Sequence, residues 1–152
     1  MKKLVLSLVA LVVIGGMDAQ QLNEKGLYID SEGELFTGTI SSVNQSVKNE
    51  LAVKDGVISG TANYYYASGK LMESGVFENG EKNNQWTLYS EKGSILAIAY
   101  YNKGKKTGTW LVYDENGKKR YEMSYTNGDK TGVWTNWGDD GSIVSTKSYV
   151  SK

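Results

Sequence analysis

A repeat of 24 residues constrains this chain more than any other feature of its sequence. Each of four successive units opens with Gly or Asn, at Gly60, Asn84, Gly108 and Gly132. The tenth position is always glycine: Gly69, Gly93, Gly117 and Gly141. Aromatic residues occupy the sixth position (Tyr65, Tyr89, Tyr113, Trp137) and the eighteenth (Phe77, Tyr101, Tyr125, Tyr149), and tryptophan occupies the third in three units (Trp86, Trp110, Trp134). A strict period of this length is typical of a repeat architecture.

Each unit is predicted to form one β-hairpin. In the unit 108–131, residues 109–113 are aromatic or β-branched and favour a strand. Residues 114–117 contain Asn and Gly, which favour a turn. The second strand, 118–125, alternates Tyr121, Met123 and Tyr125 with polar residues. The predicted fold is therefore all-β: a repeat array of stacked antiparallel β-hairpins that forms an elongated twisted sheet.

The repeat also sets the expected domain organisation. One repeat domain is predicted over residues 20–152, with repeats at 60–83, 84–107, 108–131 and 132–152. Residues 26–59 follow the period only loosely and are predicted to be divergent N-terminal hairpins. Terminal repeats are expected to be atypical because they cap the stack.

The N-terminus predicts export. Lys2 and Lys3 precede an apolar run over residues 4–14, and a short stretch of mostly small residues follows it. The run is shorter than the roughly 20 residues that span a bilayer and fits a cleaved signal peptide over residues 1–19. The chain has no cysteine, so neither a lipid attachment at that residue nor a disulfide is expected. We therefore expect a periplasmic or extracellular protein that is not a lipoprotein.

Charge and composition narrow the function classes. Lys and Arg together number 17, and so do Asp and Glu, so no net field attracts nucleic acid. Histidine, the commonest general base and metal ligand, is absent. The acidic segments 114–117 and 138–141 are too short for a calcium loop and are interpreted as hairpin turns. We expect no enzyme activity, no cofactor and no metal.

The aromatic residues admit two interpretations. They pack one repeat on the next, or they offer a stacking platform to a sugar or to a partner's side chains. Strict periodicity favours the packing interpretation for the aromatics at the third, sixth and eighteenth positions of the repeat. Tyr64, Tyr66 and Tyr100 lie outside these repeat positions. Tyr64 and Tyr66 are expected on the strand face opposite Tyr65. These three tyrosines are the candidate binding residues.

The consensus Gly-x-Trp-x-x-Tyr-x3-Gly-x7-Tyr-x2-Gly resembles the MORN-type repeat in its bacterial variant, as found in the YwqK-type antitoxin-like family. The resemblance covers about residues 26–152. It implies a β-hairpin array used in association with proteins or membrane surfaces. The antitoxin label is interpreted as a family name only, because a signal peptide would separate the product from a cytoplasmic toxin.

These observations predict an exported, non-catalytic repeat protein that acts as a protein-binding or structural scaffold. One alternative is a carbohydrate-binding module that uses Tyr64, Tyr66 and exposed tryptophan edges. Another is association with an envelope membrane surface. Open ribbons have unpaired edges, so self-association through a sheet edge is a further hypothesis.

Overall fold

The computed structural model describes residues 21–44 and 46–150. The predicted signal peptide, residues 1–19, lies outside this part of the chain. Twelve strands are assigned: β1 (Gln21–Leu22), β2 (Tyr28–Ile29), β3 (Gly38–Asn44), β4 (Val47–Lys54), β5 (Val57–Tyr65), β6 (Leu71–Glu78), β7 (Glu81–Tyr89), β8 (Ile95–Asn102), β9 (Lys105–Tyr113), β10 (Lys119–Thr126), β11 (Asp129–Trp137) and β12 (Ile143–Tyr149). Within these described residues, no helix is long and apolar enough to cross a membrane.

The strands from β3 to β12 form one antiparallel sheet in which every strand pairs with its neighbours in sequence. The sheet does not close, so β3 and β12 are its two edges. β1 and β2 form a separate two-stranded sheet. This topology confirms the predicted all-β array of consecutive hairpins.

Two kinds of turn alternate along the array, and each has its own glycine. The short turns have two central residues, such as Asn79-Gly80 and Asn127-Gly128, and both residues take positive φ. Two successive positive φ values match the mirror-image turn whose twist suits a hairpin. The long turns carry the tenth-position glycine. In the turn at 114–118, an Asp114 carboxylate oxygen accepts hydrogen bonds from the backbone N–H groups of Asn116 and Lys118. The acidic segment 114–117 is thus a hairpin turn, as predicted.

The residue that opens each unit lies inside a strand and not in a turn. Asn84, Gly108 and Gly132 belong to β7, β9 and β11 and have φ values of 56°, 63° and 64°. Beside each of them the register between neighbouring strands shifts. The left-handed backbone therefore marks a bulge in the ladder, and Asn or Gly is needed there because other residues are strained in that region.

The core lies in the N-terminal half of the sheet. Its buried hydrophobic residues are Ile40, Leu51, Val53, Ala62 and Trp86. The segment before β3 covers this part of one face: Tyr28 and Phe36 pack against the core. The backbone N–H of Tyr28 donates to Gly56 O, and the N–H of Gly56 donates to Phe36 O. This segment gives the start of the array a cover that the later repeats lack.

Candidate functional site

The most regular feature of the structure is a line of aromatic rings that runs across the strands on one face. The third-position tryptophans alternate with the eighteenth-position rings, in the order Phe77, Trp86, Tyr101, Trp110, Tyr125, Trp134 and Tyr149. We call these seven residues the ring column. Neighbouring centroids are 4.7–6.4 Å apart, and the ring planes are tilted by 51–82°. Such tilted pairs add about 0.5–1.5 kcal/mol each beyond the area that they bury.

The bulges explain why tryptophan occupies the third position. The indole N–H of Trp86 donates to Val76 O at 3.2 Å, and that of Trp110 donates to Tyr100 O at 3.1 Å. Trp134 repeats the contact with Ser124 O at 3.1 Å. Each of these carbonyls lies where the register shifts, so the indole supplies a donor where the backbone ladder is interrupted. Phenylalanine or tyrosine would offer no donor at that place.

The three tryptophans of the column differ in burial. Trp86 is only 2% exposed, whereas Trp110 and Trp134 are partly exposed. Small residues flank Trp86 on both sides, because Ala99 is its partner on β8 and Gly75 lies beneath it on β6. The partner at the corresponding place is Met123 for Trp110 and Lys147 for Trp134. Larger residues therefore stand beside these later indoles.

A lysine lies over the rings in each repeat. The ammonium of Lys82 is 3.6 Å from the Trp86 ring centroid, that of Lys106 is 4.5 Å from Trp110, and that of Lys130 is 4.6 Å from Trp134. Each also lies 5.1–5.5 Å from the tyrosine ring on the following strand. At the end of the column, Lys147 lies 5.3 Å from the Tyr149 ring. These are cation–π distances.

The two halves of this face differ in charge. Lys82 forms an ion pair with Glu73 at 3.0 Å, so its charge is compensated. Among the described residues, Lys106, Lys130 and Lys147 form no ion pair. Strand pairing places Ala97, Val112, Tyr121, Asn136 and Ser145 on the same face as Glu73, and none of them is acidic. We call Lys106, Lys130 and Lys147 the lysine row.

Burial affects the tyrosines of this face. It raises the pKa of Tyr101 and Tyr125, because the charged phenolate would lose water there. The pKa of Tyr64 is raised for the same reason. All three therefore remain neutral donors and apolar surfaces at physiological pH.

A different ionic group lies on the opposite face. The Glu50 carboxylate accepts hydrogen bonds from Lys48 Nζ and from the Tyr65 hydroxyl, both at 2.8 Å. The bond from Lys48, followed by that from Tyr65, lowers the pKa of Glu50. The sixth-position aromatics thus differ from the ring column: the contacts of Tyr65 are to Glu50 and to the ammonium of Lys48, and Trp137 lies under Lys119.

The three candidate tyrosines lie in three different surroundings. Tyr64 is half-buried and its ring centroid is 6.4 Å from that of Trp86. The Tyr66 hydroxyl donates to Tyr89 O at 2.6 Å, and the exposed Tyr100 donates to Gln85 Oε1 at 3.1 Å. Tyr64 therefore packs beside the ring column. Tyr66 lies just beyond the end of β5, outside the strand, and links this turn to the end of β7, two strands away, whereas Tyr100 links β8 to the adjacent β7. A binding role for any of the three stays a prediction.

A shallow surface depression of about 470 Å³ lies at the C-terminal long turns. Lys118, Lys119, Trp137 and residues 138–141 line it. Its Asp139 is already bonded: the carboxylate pairs with the nearby Arg120, and the backbone carbonyl accepts a hydrogen bond from Lys118 Nζ. The part of the chain that the structure describes contains no cluster of three acidic or other metal-ligating side chains that could hold a metal ion.

Sequence reasoning missed the lysines of the ring column. Lys82, Lys106 and Lys130 recur with the 24-residue period, so the signal was present in the sequence. Only the strand register shows that they share a face with the third-position tryptophans.

The family comparison agrees with the hairpin architecture. The family model described as "MORN repeat variant" matches residues 58–79 and 106–127, which are two hairpins of the array. No curated protein matches the chain. A crystal structure of a mutant of S. aureus TarM in complex with fondaparinux, alpha-GlcNAc-glycerol and UDP is similar, with 14% sequence identity and a TM-score of 0.37. That match covers 82% of this chain and 21% of the other.

Proposed function

We propose that this chain is a non-catalytic scaffold that acts after export and binds a protein partner at the C-terminal edge of its sheet. One observation carries the proposal. β12 pairs with β11 on one side, and its outer side has no strand partner in the described structure. A strand from another protein can pair with such an edge through backbone hydrogen bonds.

The side chains around this edge favour a protein. Ile143 is 61% exposed, Val144 is 63% exposed and Val150 is 90% exposed. Val133, on the neighbouring strand, is also exposed. An edge strand that carries exposed apolar side chains is a ready template for pairing with another chain. Lys147 is the one charged residue of β12, so the edge offers little repulsion to an approaching apolar strand.

The repeating residues support a structural role for the rest of the sheet. The tenth-position glycines lie in the turns, and the unit-opening residues form the bulges. The aromatic residues at the third and eighteenth positions pack on one another. The family match agrees with a repeat module that has no enzyme activity. The array would hold the β12 edge in a fixed orientation, which reduces the entropy lost on binding.

The test is a cross-linked pull-down of the tagged mature protein from its native envelope, with two charge variants. Ile143→Lys places a charge on the β12 edge. Val43→Lys is the matched control, because Val43 is an exposed valine on β3, the opposite edge. We expect one stoichiometric protein partner that is lost with Ile143→Lys and retained with Val43→Lys.

Other outcomes would refute the proposal. Recovery of the chain alone would point to self-assembly. Glycan or lipid without a protein would favour the surface-binding alternatives. Equal loss in both variants would show that the edge at β12 has no particular role.

A further inference from the structure

We propose that the C-terminal half of the ring-column face binds a linear acidic polysaccharide, whose carboxylates contact the lysine row. This site lies on the face of the sheet, whereas the proposed protein site is the unpaired backbone edge of β12; Lys147 is the member of the lysine row that β12 carries. The proposal goes beyond the protein-binding function. It also differs from the predicted glycan site, because it does not use Tyr64, Tyr66 or Tyr100.

The first argument is charge. The chain has equal numbers of basic and acidic residues, yet the C-terminal half of this face bears the lysine row and, among the described strand positions, no carboxylate. Lys82, in the other half, is neutralised by Glu73. This end of the face therefore carries an excess of positive charge, which attracts an anion.

The second argument is that the ammonium groups are already positioned. Lys106 lies over Trp110 and beside Tyr125, and Lys130 lies over Trp134 and beside Tyr149. A free lysine side chain loses rotamer entropy when it binds a ligand. Because the rings hold these side chains before binding, less entropy is lost at that step.

The third argument is spacing. Lys106 is on β9 and Lys130 is on β11, at equivalent places two strands apart. Strands lie about 4.8 Å apart, so the two ammonium groups recur at about 10 Å. A polysaccharide with one carboxylate in each disaccharide repeats its charge over a comparable length. A linear polymer of this kind can also follow the twist of the sheet.

The arrangement of the rings disfavours two other anionic ligands, a membrane surface and a single-stranded nucleic acid. Tyr125 is buried, and the rings of Trp110 and Trp134 pack against it with their planes tilted by 53° and 55°. They do not protrude as the apolar anchors that enter a membrane interface. Their tilted planes also lack the flat, free faces on which the bases of a single-stranded nucleic acid stack.

The experiment measures binding of hyaluronan, which has one carboxylate in each disaccharide, to the mature protein by tryptophan fluorescence and calorimetry. We expect saturable binding that weakens as the ionic strength is raised. Neutral dextran should not bind. The double variant Lys106→Gln/Lys130→Gln should bind about tenfold more weakly, the size expected for two partly exposed ion pairs.

Two further variants make the result specific. Lys105→Gln/Lys54→Gln removes the same charge from exposed lysines on the opposite face and should leave the affinity unchanged. Lys106→Arg/Lys130→Arg keeps both cations and should retain binding. Circular dichroism and thermal melting confirm that each variant is folded.

Several results would overturn the proposal. One is no binding of hyaluronan at low ionic strength. Another is an equal loss of affinity in the control from the opposite face, which would show a non-specific charge effect. Equal or tighter binding of anionic phospholipid vesicles or of single-stranded DNA would assign the lysine row to a different ligand. These outcomes are independent of whether a protein binds at β12.

Discussion

Among the glycines of the described residues, Gly75 leaves the least room for a Cβ atom, because the Trp86 indole packs against it. We therefore predict that Gly75→Ala is strongly destabilising. A Cβ atom built at Gly75 would lie 2.6 Å from Trp86 Cγ and closer still to Cδ2 and Cε2. Ordinary contacts between carbon atoms are about 3.5–4.0 Å. The indole therefore has to move by about 1 Å or more, although it is almost fully buried.

The cost has two parts. Overpacking a well-packed core costs about 1–3 kcal/mol. Movement of the ring also weakens the hydrogen bond from its indole N–H to Val76 O, which is worth about 1 kcal/mol. We therefore expect Gly75→Ala to lower the free energy of unfolding by about 2–4 kcal/mol. Urea unfolding followed by circular dichroism measures this change.

Two controls isolate the mechanism. Gly138 is another glycine without a positive φ. The nearest atoms to a Cβ there are the side-chain ends of Asp140, Val144 and Ser142. Gly138→Ala should therefore change the free energy of unfolding by less than about 1 kcal/mol. Combining Gly75→Ala with Trp86→Leu should cost less than the sum of the single changes, because a smaller side chain relieves the overlap. A Gly75→Ala variant within about 0.5 kcal/mol of the native protein, or a strictly additive pair, would refute the reasoning.

Two further predictions concern the bulges and the tyrosines. Asn84→Val should lower the free energy of unfolding by about 1–2 kcal/mol, because a β-branched residue is strained at the φ of 56°. Asn84→Gly should leave the free energy of unfolding nearly unchanged. Equal effects of the two substitutions in urea unfolding would contradict this prediction. Burial raises the pKa of Tyr125 above its unfolded value, so its contribution to stability is complete below about pH 10 and is lost as the pH rises through the folded pKa. Above about pH 10 the urea midpoint of Tyr125→Phe should therefore fall less steeply with pH than that of the native protein. An identical decline in both proteins would contradict this prediction.

The sequence by itself determined the architecture. The period, the turn glycines and the alternation of Tyr121, Met123 and Tyr125 predicted consecutive hairpins in one antiparallel sheet, because turn chemistry and strand alternation are local properties. It also predicted that the aromatics of successive repeats pack on one another. The aromatic residues that form the column are those at the third and eighteenth positions.

Only the tertiary structure decided which residues share a face and how deeply each is buried. The bulge at Asn84 shifts the register of β7 against β6, so the face of a side chain cannot be counted from alternation across that point. The same register places Lys106 and Lys130 over the tryptophans and Tyr64 beside Trp86. Burial of Trp86 depends on Gly75 and on Ala99, which are 11 and 13 residues away in sequence and on different strands. Contacts of this kind arise from strand pairing across the sheet, which a local sequence pattern does not record.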